Sequence, residues 1–126
     1  MFKYANPNPA NKHVGDCVIR AIAILTDKDW DTVYLDLIGF GYKMKDMPSS
    51  NVTWAAYLKS NGFRQFLLPD TCPNCYTISD FAKDNTKGDF LLGTGTHVVA
   101  VRDGIYYDTW DSGDEIPMYF FKKEGT

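Results

Sequence analysis

The sequence predicts an α+β fold in which N-terminal helices pack on a C-terminal antiparallel sheet. Through the first 60 residues, apolar side chains recur at the spacing of helices. From about residue 88 onward, short runs of β-branched and aromatic residues alternate with glycine-containing turns, which is typical of antiparallel strands. The length of 126 residues, with 44% of them hydrophobic, suits one domain, and residues 1–126 are therefore expected to form a single unit.

The helices are expected in the first half of the chain. Residues 1–15 are rich in Asn, Pro and Gly and are predicted to be loop. A first helix is predicted over residues 16–25, and because Arg20 is its only charge it should be buried. An amphipathic second helix should begin near Trp30 and end near Gly39 or Gly41, before an irregular stretch to residue 50. A third helix is predicted over residues 52–60.

The strands follow. Residues 63–68 are predicted to form a short strand, followed by a loop at 70–77 and a short helix at 79–83. Two strands are expected over residues 88–94 and 96–102, with Gly95 as a bend or bulge between them. A final strand is expected over residues 118–122.

A tight hairpin is predicted where residues 103–104, Asp-Gly, form a two-residue turn between residues 96–102 and 105–110. In that register His97 and Asp108 lie diagonally on one face, within hydrogen-bonding reach, and Trp110 stands opposite His97. The turn therefore favours Asp108 as the acid that orients the imidazole. A longer loop would favour Asp111 instead.

Cys17 is the predicted nucleophile. A thiol in the first turn of a helix feels the positive end of the helix dipole, which favours the reactive thiolate. His97 is the predicted base, and Asp108 would complete the site. The alternatives are that Cys17 is simply a small buried residue, that His97 is a hydrogen-bonded sheet residue, or that His13 is the base.

These residues resemble a papain-like cysteine peptidase of minimal size. The chain is similar to a group of small bacterial and phage-associated proteins, and in the order of its site residues to the bacteriocin leader-processing peptidases. The motifs that carry the resemblance are Gly15-Asp16-Cys17-Val18-Ile19-Arg20-Ala21, Gly95-Thr96-His97-Val98-Val99-Ala100-Val101-Arg102-Asp103-Gly104 and Asp108-Thr109-Trp110-Asp111-Ser112.

The resemblance implies further site residues. Papain-like enzymes usually have a Gln six residues before the Cys, and its amide stabilises the oxyanion; here that position holds Asn11. Asn6 and Asn8 are alternative donors, and the backbone N–H of Cys17 would be the second donor. Trp110 and Asp16 are the candidates for contact with substrate.

The pair Cys72 and Cys75 forms a CxxC motif that supplies only two of the four ligands of a structural zinc site. The βαβ context of a redox motif is also missing. We interpret the pair as part of a loop that is sometimes oxidised, and expect neither metal nor cofactor.

Together these features predict a thiol-dependent amide hydrolase or acyl transferase, a cysteine peptidase or isopeptidase whose partner is a protein or peptide substrate. The alternatives are a transglutaminase or deamidase with the same triad, and a non-catalytic protein-binding module. The net charge of −3 without a basic run argues against nucleic acid. With no signal-like or membrane-spanning apolar segment and only three cysteines, we expect no membrane partner and a cytoplasmic location. The oligomeric state stays open.

Overall fold

The computed structural model describes residues 1–125 and folds them into four helices and one six-stranded sheet. The helices are α1 (Cys17–Thr26), α2 (Trp30–Met44), α3 (Asn51–Ser60) and α4 (Ile78–Asp84). The strands are β1 (Phe2–Tyr4), β2 (Phe63–Leu67), β3 (Asp89–Gly93), β4 (Val98–Arg102), β5 (Ile105–Asp108) and β6 (Tyr119–Lys123). The predicted α+β class is therefore confirmed.

The sheet has the strand order β1-β5-β4-β3-β6-β2. Its neighbours are antiparallel except for β1, which runs parallel to β5 and pairs Phe2 with Tyr106. The sheet is thus mixed and includes an N-terminal strand, whereas an antiparallel C-terminal sheet was expected. Residues 1–15 were expected to be loop because they are rich in Asn and Pro. The strand among them has only three residues, and it depends on pairing with the distant β5.

Apolar side chains cover both faces of the sheet, so the core has two layers. On one face Leu91, Ala100 and Phe121 pack against α1, α2 and α3. On the other face, Val99 and Val101 pack with α4 through Phe81. Successive side chains along β3 and β4 point to opposite faces, which produces the two layers. Helix α1 is thereby buried against the centre of the sheet.

Helix α2 is longer than predicted, because its glycines do not end it. Gly41 is buried inside the last turn, where a Cβ atom would lie 2.8 Å from the carbonyl oxygen of Asp46. The missing side chain lets the chain fold back, and the N–H of Asp46 bonds the carbonyl of Gly41 at 2.9 Å. The helix ends instead at Lys45, which adopts the left-handed conformation with a φ of 56°.

The hairpin register is as predicted. Arg102 pairs with Ile105 and Val101 with Tyr106, so the turn has two residues. Both turn residues have positive φ, 52° at Asp103 and 80° at Gly104, which suits the twist of a tight hairpin. None of the helices among residues 1–125 is long and apolar enough to cross a membrane.

Candidate active site

Cys17 is the first residue of α1 and is partly exposed. Its N-terminal neighbour Asp16 is the cap residue but makes no side-chain bond to the helix backbone, so the N–H groups of the first turn are not capped by that carboxylate. The thiol therefore lies at the positive end of a helix dipole. Helix α1 packs across β4, and this brings Cys17 to the start of that strand.

His97 lies one residue before β4, in the turn from β3. The turn is closed by the backbone N–H of Thr94, which donates to the carbonyl of His97 at 2.8 Å. His97 was expected at the head of a strand, and the structure instead places it in this turn. Its imidazole contacts the Cys17 thiol, whereas the side chain of Val99, two residues later, packs towards α4.

The His97 ring makes contacts with both of its predicted partners. Its Nε2 lies 2.6 Å from Oδ2 of Asp108, and its side chain also interacts with the Cys17 thiol. The hydrogen bond to Asp108 and then that to Cys17 raise the pKa of His97 to about 9, against the opposing effect of burial. Both partners therefore favour the protonated imidazole.

Asp108 lies at the end of β5 and is only 3% exposed. Besides His97, its Oδ2 accepts a hydrogen bond from the Ser112 hydroxyl at 2.8 Å, and its Oδ1 accepts one from the Thr109 N–H at 2.8 Å. Burial opposes ionisation of the carboxyl, but the bonds from His97 and Ser112 outweigh it and lower its pKa. Ser112 is itself fully buried and bonded to the acid of the site.

The environment of Cys17 favours its thiolate. Burial raises its pKa, but the hydrogen bonds from His97 and the Val98 backbone N–H lower it, as do the charges of His97 and Arg20. The net result is a pKa below the ordinary value. A lowered thiol pKa beside a raised imidazole pKa favours a thiolate–imidazolium pair over two neutral groups.

Asp16 was a candidate for contact with substrate, and its carboxylate is bound inside the protein. Its side chain is 4% exposed and forms an ion pair with Arg20. Its Oδ2 accepts hydrogen bonds from Trp30 Nε1 at 3.0 Å and from Asn8 Nδ2 at 3.3 Å. Both oxygens of the carboxylate thus have internal partners, and a contact of Asp16 with substrate stays a prediction.

A cleft of about 90 Å³ contains Cys17 and His97. The other residues that line it are Val18, Asn51, Trp54, Gly95, Thr96, Val98 and Tyr119. Sequence reasoning missed Asn51, Trp54 and Tyr119, since they reach the site from α3 and β6 and share no motif with Cys17. The pKa of Tyr119 is raised by burial and by the charge of Cys17, which places its phenol close to the thiol.

An apolar groove of about 350 Å³ adjoins this cleft, and Val18 lines both. The groove lies between the start of α1 and the side chains of Leu37 and Ile38 on α2. Its one charged lining residue, Asp16, is paired with Arg20. The surface beside the thiol is therefore suited to apolar groups.

The proposed oxyanion donors lie in the loop before α1. Asn11 is exposed, and its Oδ1 accepts a hydrogen bond from Asn6 Nδ2 at 3.3 Å. The Asn6 amide also donates to the carbonyl of Lys12, and the Asn8 amide donates to Asp16. Within residues 1–125, Asn11 is thus the one of the three whose amide N–H groups have no internal acceptor. It does not line the cleft, and its role stays a prediction.

Trp110 lies beside His97, with ring centroids 5.1 Å apart, and is 47% exposed. It covers the imidazole and also presents a free face to solvent, so it remains a candidate for contact with substrate. His13 lies in the exposed loop before α1 and is not among the residues that line the cleft.

Cys72 and Cys75 form a disulfide, which leaves Cys17 as the free cysteine. Between residues 1 and 125 no three His, Cys, Asp or Glu side chains lie close enough together to hold a metal ion. No family model matches the chain, and no curated protein or solved structure shows significant similarity to it.

Proposed function

We propose that this protein is a papain-like, thiol-dependent amide hydrolase or acyl transferase that uses Cys17, His97 and Asp108. The observation that carries the proposal is the continuous chain of contacts from the Asp108 carboxylate through the imidazole to a thiol at a helix N-terminus. A buried structural cysteine would have no need of a cationic imidazole held by a buried acid.

The first half of the reaction would form an acyl-enzyme. The Cys17 thiolate attacks the carbonyl carbon of an amide, a C–S bond forms, and the carbonyl electrons move to oxygen. The Cys17 backbone N–H, together with Asn11 in the role proposed for it, would stabilise the oxyanion. As the C–N bond breaks, His97 gives its proton to the leaving nitrogen, and a thioester remains on Cys17.

The second half would release the acyl group. Water takes the place of the amine, His97 accepts its proton, and the new oxygen–carbon bond displaces the thiolate. A primary amine in place of water would give acyl transfer by the same steps. The substrate would be a protein or peptide, because the apolar groove beside the cleft matches side chains that flank an amide bond.

Peptide-bond cleavage can be tested with a proteome-derived peptide library. Wild-type protein, Cys17→Ala and a Cys72→Ser/Cys75→Ser control are incubated with the library, and new amino termini are counted by mass spectrometry. We expect new termini with the wild type and the control but none with Cys17→Ala. Reaction in ¹⁸O-water separates hydrolysis, which incorporates the label, from transfer to an amine.

A non-catalytic binding module would respond differently to the substitution of Cys17. Cys17→Ser conserves the size of the side chain but removes most of its nucleophilicity. If folded Cys17→Ser reproduced every cellular effect of the wild-type protein, the site would be a scaffold and the enzyme proposal would be rejected.

A further inference from the structure

Arg20 links the nucleophile helix to the acid of the site. It lies three residues after Cys17 on α1, and its guanidinium contacts two carboxylates. One terminal nitrogen bonds Asp16, and the other lies 3.4 Å from Oδ1 of Asp108 on β5. The Arg20 side chain is only 9% exposed, so water screens these contacts little.

The number of cations beside Asp108 changes during the proposed reaction. While His97 is protonated, the buried carboxylate faces two cations, His97 and Arg20. When His97 has given its proton to a leaving group, Arg20 is the remaining ion-pair partner of Asp108 within residues 1–125. A buried carboxylate without a cation tends to take up a proton, and a neutral carboxyl would no longer draw the proton back to the imidazole.

Arg20 is itself held in place by a second set of contacts. Its partner Asp16 is fixed by hydrogen bonds from Trp30 and Asn8, so the guanidinium cannot swing towards solvent without leaving Asp16 unpaired. A planar guanidinium suits this task, because it can direct N–H groups to two carboxylates at once. The two ion pairs of Arg20 thus connect the start of α1 to the end of β5.

We propose that Arg20 is a positioning residue of the site, which keeps Asp108 ionised and directed at His97 throughout the reaction cycle. The inference rests on the proposed function. It goes beyond it because Arg20 would act through Asp108 and through its charge at Cys17, without touching the substrate.

The groups whose charges act on this part of the protein come from several elements. They are Asp16 and Arg20 at the start of α1, His97 before β4, Asp108 on β5 and Tyr119 on β6. Of these, Arg20 and His97 stabilise negative charge on the Cys17 thiol. Removing Arg20 therefore weakens the thiolate directly, and again through a less firmly held Asp108 and His97.

Arg102 provides a matched control. It also ties α1 to the sheet, with its Nε 2.7 Å from Asp89 on β3 and one terminal nitrogen 2.9 Å from Asp27, the residue that ends α1. Its loss removes an arginine with two carboxylate partners from β4, beside the end of α1 that is far from Cys17. A merely structural role for Arg20 predicts equal effects of the two substitutions on the thiol.

The test is the pH dependence of Cys17 alkylation by iodoacetamide in the full chain, for wild type, Arg20→Met, Arg20→Lys and Arg102→Met. We expect Arg20→Met to raise the apparent pKa of the thiol by about one unit, which lowers alkylation about tenfold at a pH well below both apparent pKa values. The rate at pH 10, where the thiol is ionised in every variant, should be unchanged. Arg20→Lys, which keeps the charge, should recover most of the shift, and Arg102→Met should follow the wild-type curve.

Coincident curves for Arg20→Met and wild type would overturn the inference, as would an equal shift in Arg102→Met. If Arg20→Met does not fold, Arg20→Gln carries the same expectation, since its amide can still bond Asp16 but has no charge. An ordinary thiol in the wild type itself would instead reject the proposed function, so the two failures are distinguishable.

Discussion

Oδ2 of Asp108 lies 2.6 Å from Nε2 of His97, and the contact joins the two ends of one hairpin. The two-residue turn at Asp103–Gly104 sets the register that brings these residues together. The same ring interacts with Cys17, which lies on a different element and lines the same cleft. A short-range turn signal thus determines a contact on which the chemistry of the site depends.

The first prediction concerns the choice of acid. Asp108→Asn should lower alkylation of Cys17 at pH 6 by about tenfold or more, because the main cause of the raised imidazole pKa is lost. Asp111→Asn is the matched control, since Asp111 is exposed and accepts hydrogen bonds from Tyr106 and Gly113 instead. The alkylation rates of the two variants are measured side by side. A larger effect at Asp111 would mean that the wrong acid has been assigned.

The second prediction concerns the charge of His97. Because its pKa is raised to about 9, the imidazole should stay protonated through neutral pH and lose its proton only near pH 9. Turnover should therefore fall above pH 9, where the leaving nitrogen has no proton donor, and should fall at low pH as the thiolate is protonated. In Cys17→Ala the pKa of His97 should drop, because one of its two hydrogen-bonding partners is gone.

Nuclear magnetic resonance of the imidazole in wild type and Cys17→Ala measures this directly. A His97 signal that titrates near the ordinary histidine value in the wild-type protein would show that no ion pair exists.

The third prediction concerns the contact of Gly93 with Tyr119, which lines the cleft. At Gly93 a Cβ atom would lie 2.1 Å from the ring of Tyr119, so the ring crosses β3 only because the side chain is absent. Gly93→Ala should displace Tyr119 and lower the free energy of unfolding by about 1–3 kcal/mol. Gly39→Ala on α2, where a Cβ would meet nothing within 4 Å, should instead raise it by about 0.5–1 kcal/mol. Urea denaturation of both variants provides the comparison, and a neutral Gly93→Ala would mean that the ring is not held there.

The fourth prediction concerns the disulfide. It closes a very short loop, since Cys75 follows Cys72 by three positions, with Pro73 and Asn74 between them. Cys72→Ser/Cys75→Ser should cost at most about 2 kcal/mol of unfolding free energy and leave Cys17 alkylation unchanged. Chemical denaturation and the alkylation assay check the two halves. Loss of Cys17 reactivity in the folded double variant would tie the loop to the site.

Local signals accounted for much of the fold. The apolar run after Cys17 identified α1, and the Asp-Gly turn identified the β4–β5 hairpin with its register. Both are short-range features, in which neighbouring residues determine the backbone. The same turn made Asp108 preferable to Asp111 before the geometry was known.

Long-range contacts could not be predicted in the same way. Ser112 lies after the predicted hairpin, and its bond to Asp108 depends on how the following loop folds back. Tyr119 enters the cleft because the sheet order places β6 beside β3, and Trp54 of α3 stacks on it; no local pattern encodes either contact. The internal role of Asp16 depends likewise on Trp30, which approaches from the next helix.

The central claim is that His97 activates Cys17, and the pH dependence of Cys17 alkylation in wild type and His97→Asn tests it most directly. Since the other two cysteines are paired, iodoacetamide reports on Cys17 in the native protein, and mass spectrometry verifies the site. We expect the wild-type rate to stay high at pH 6, while His97→Asn should behave as an ordinary thiol and lose about 99% of its rate between pH 9 and pH 6. Identical curves for the two proteins, both following an ordinary thiol, would contradict the account.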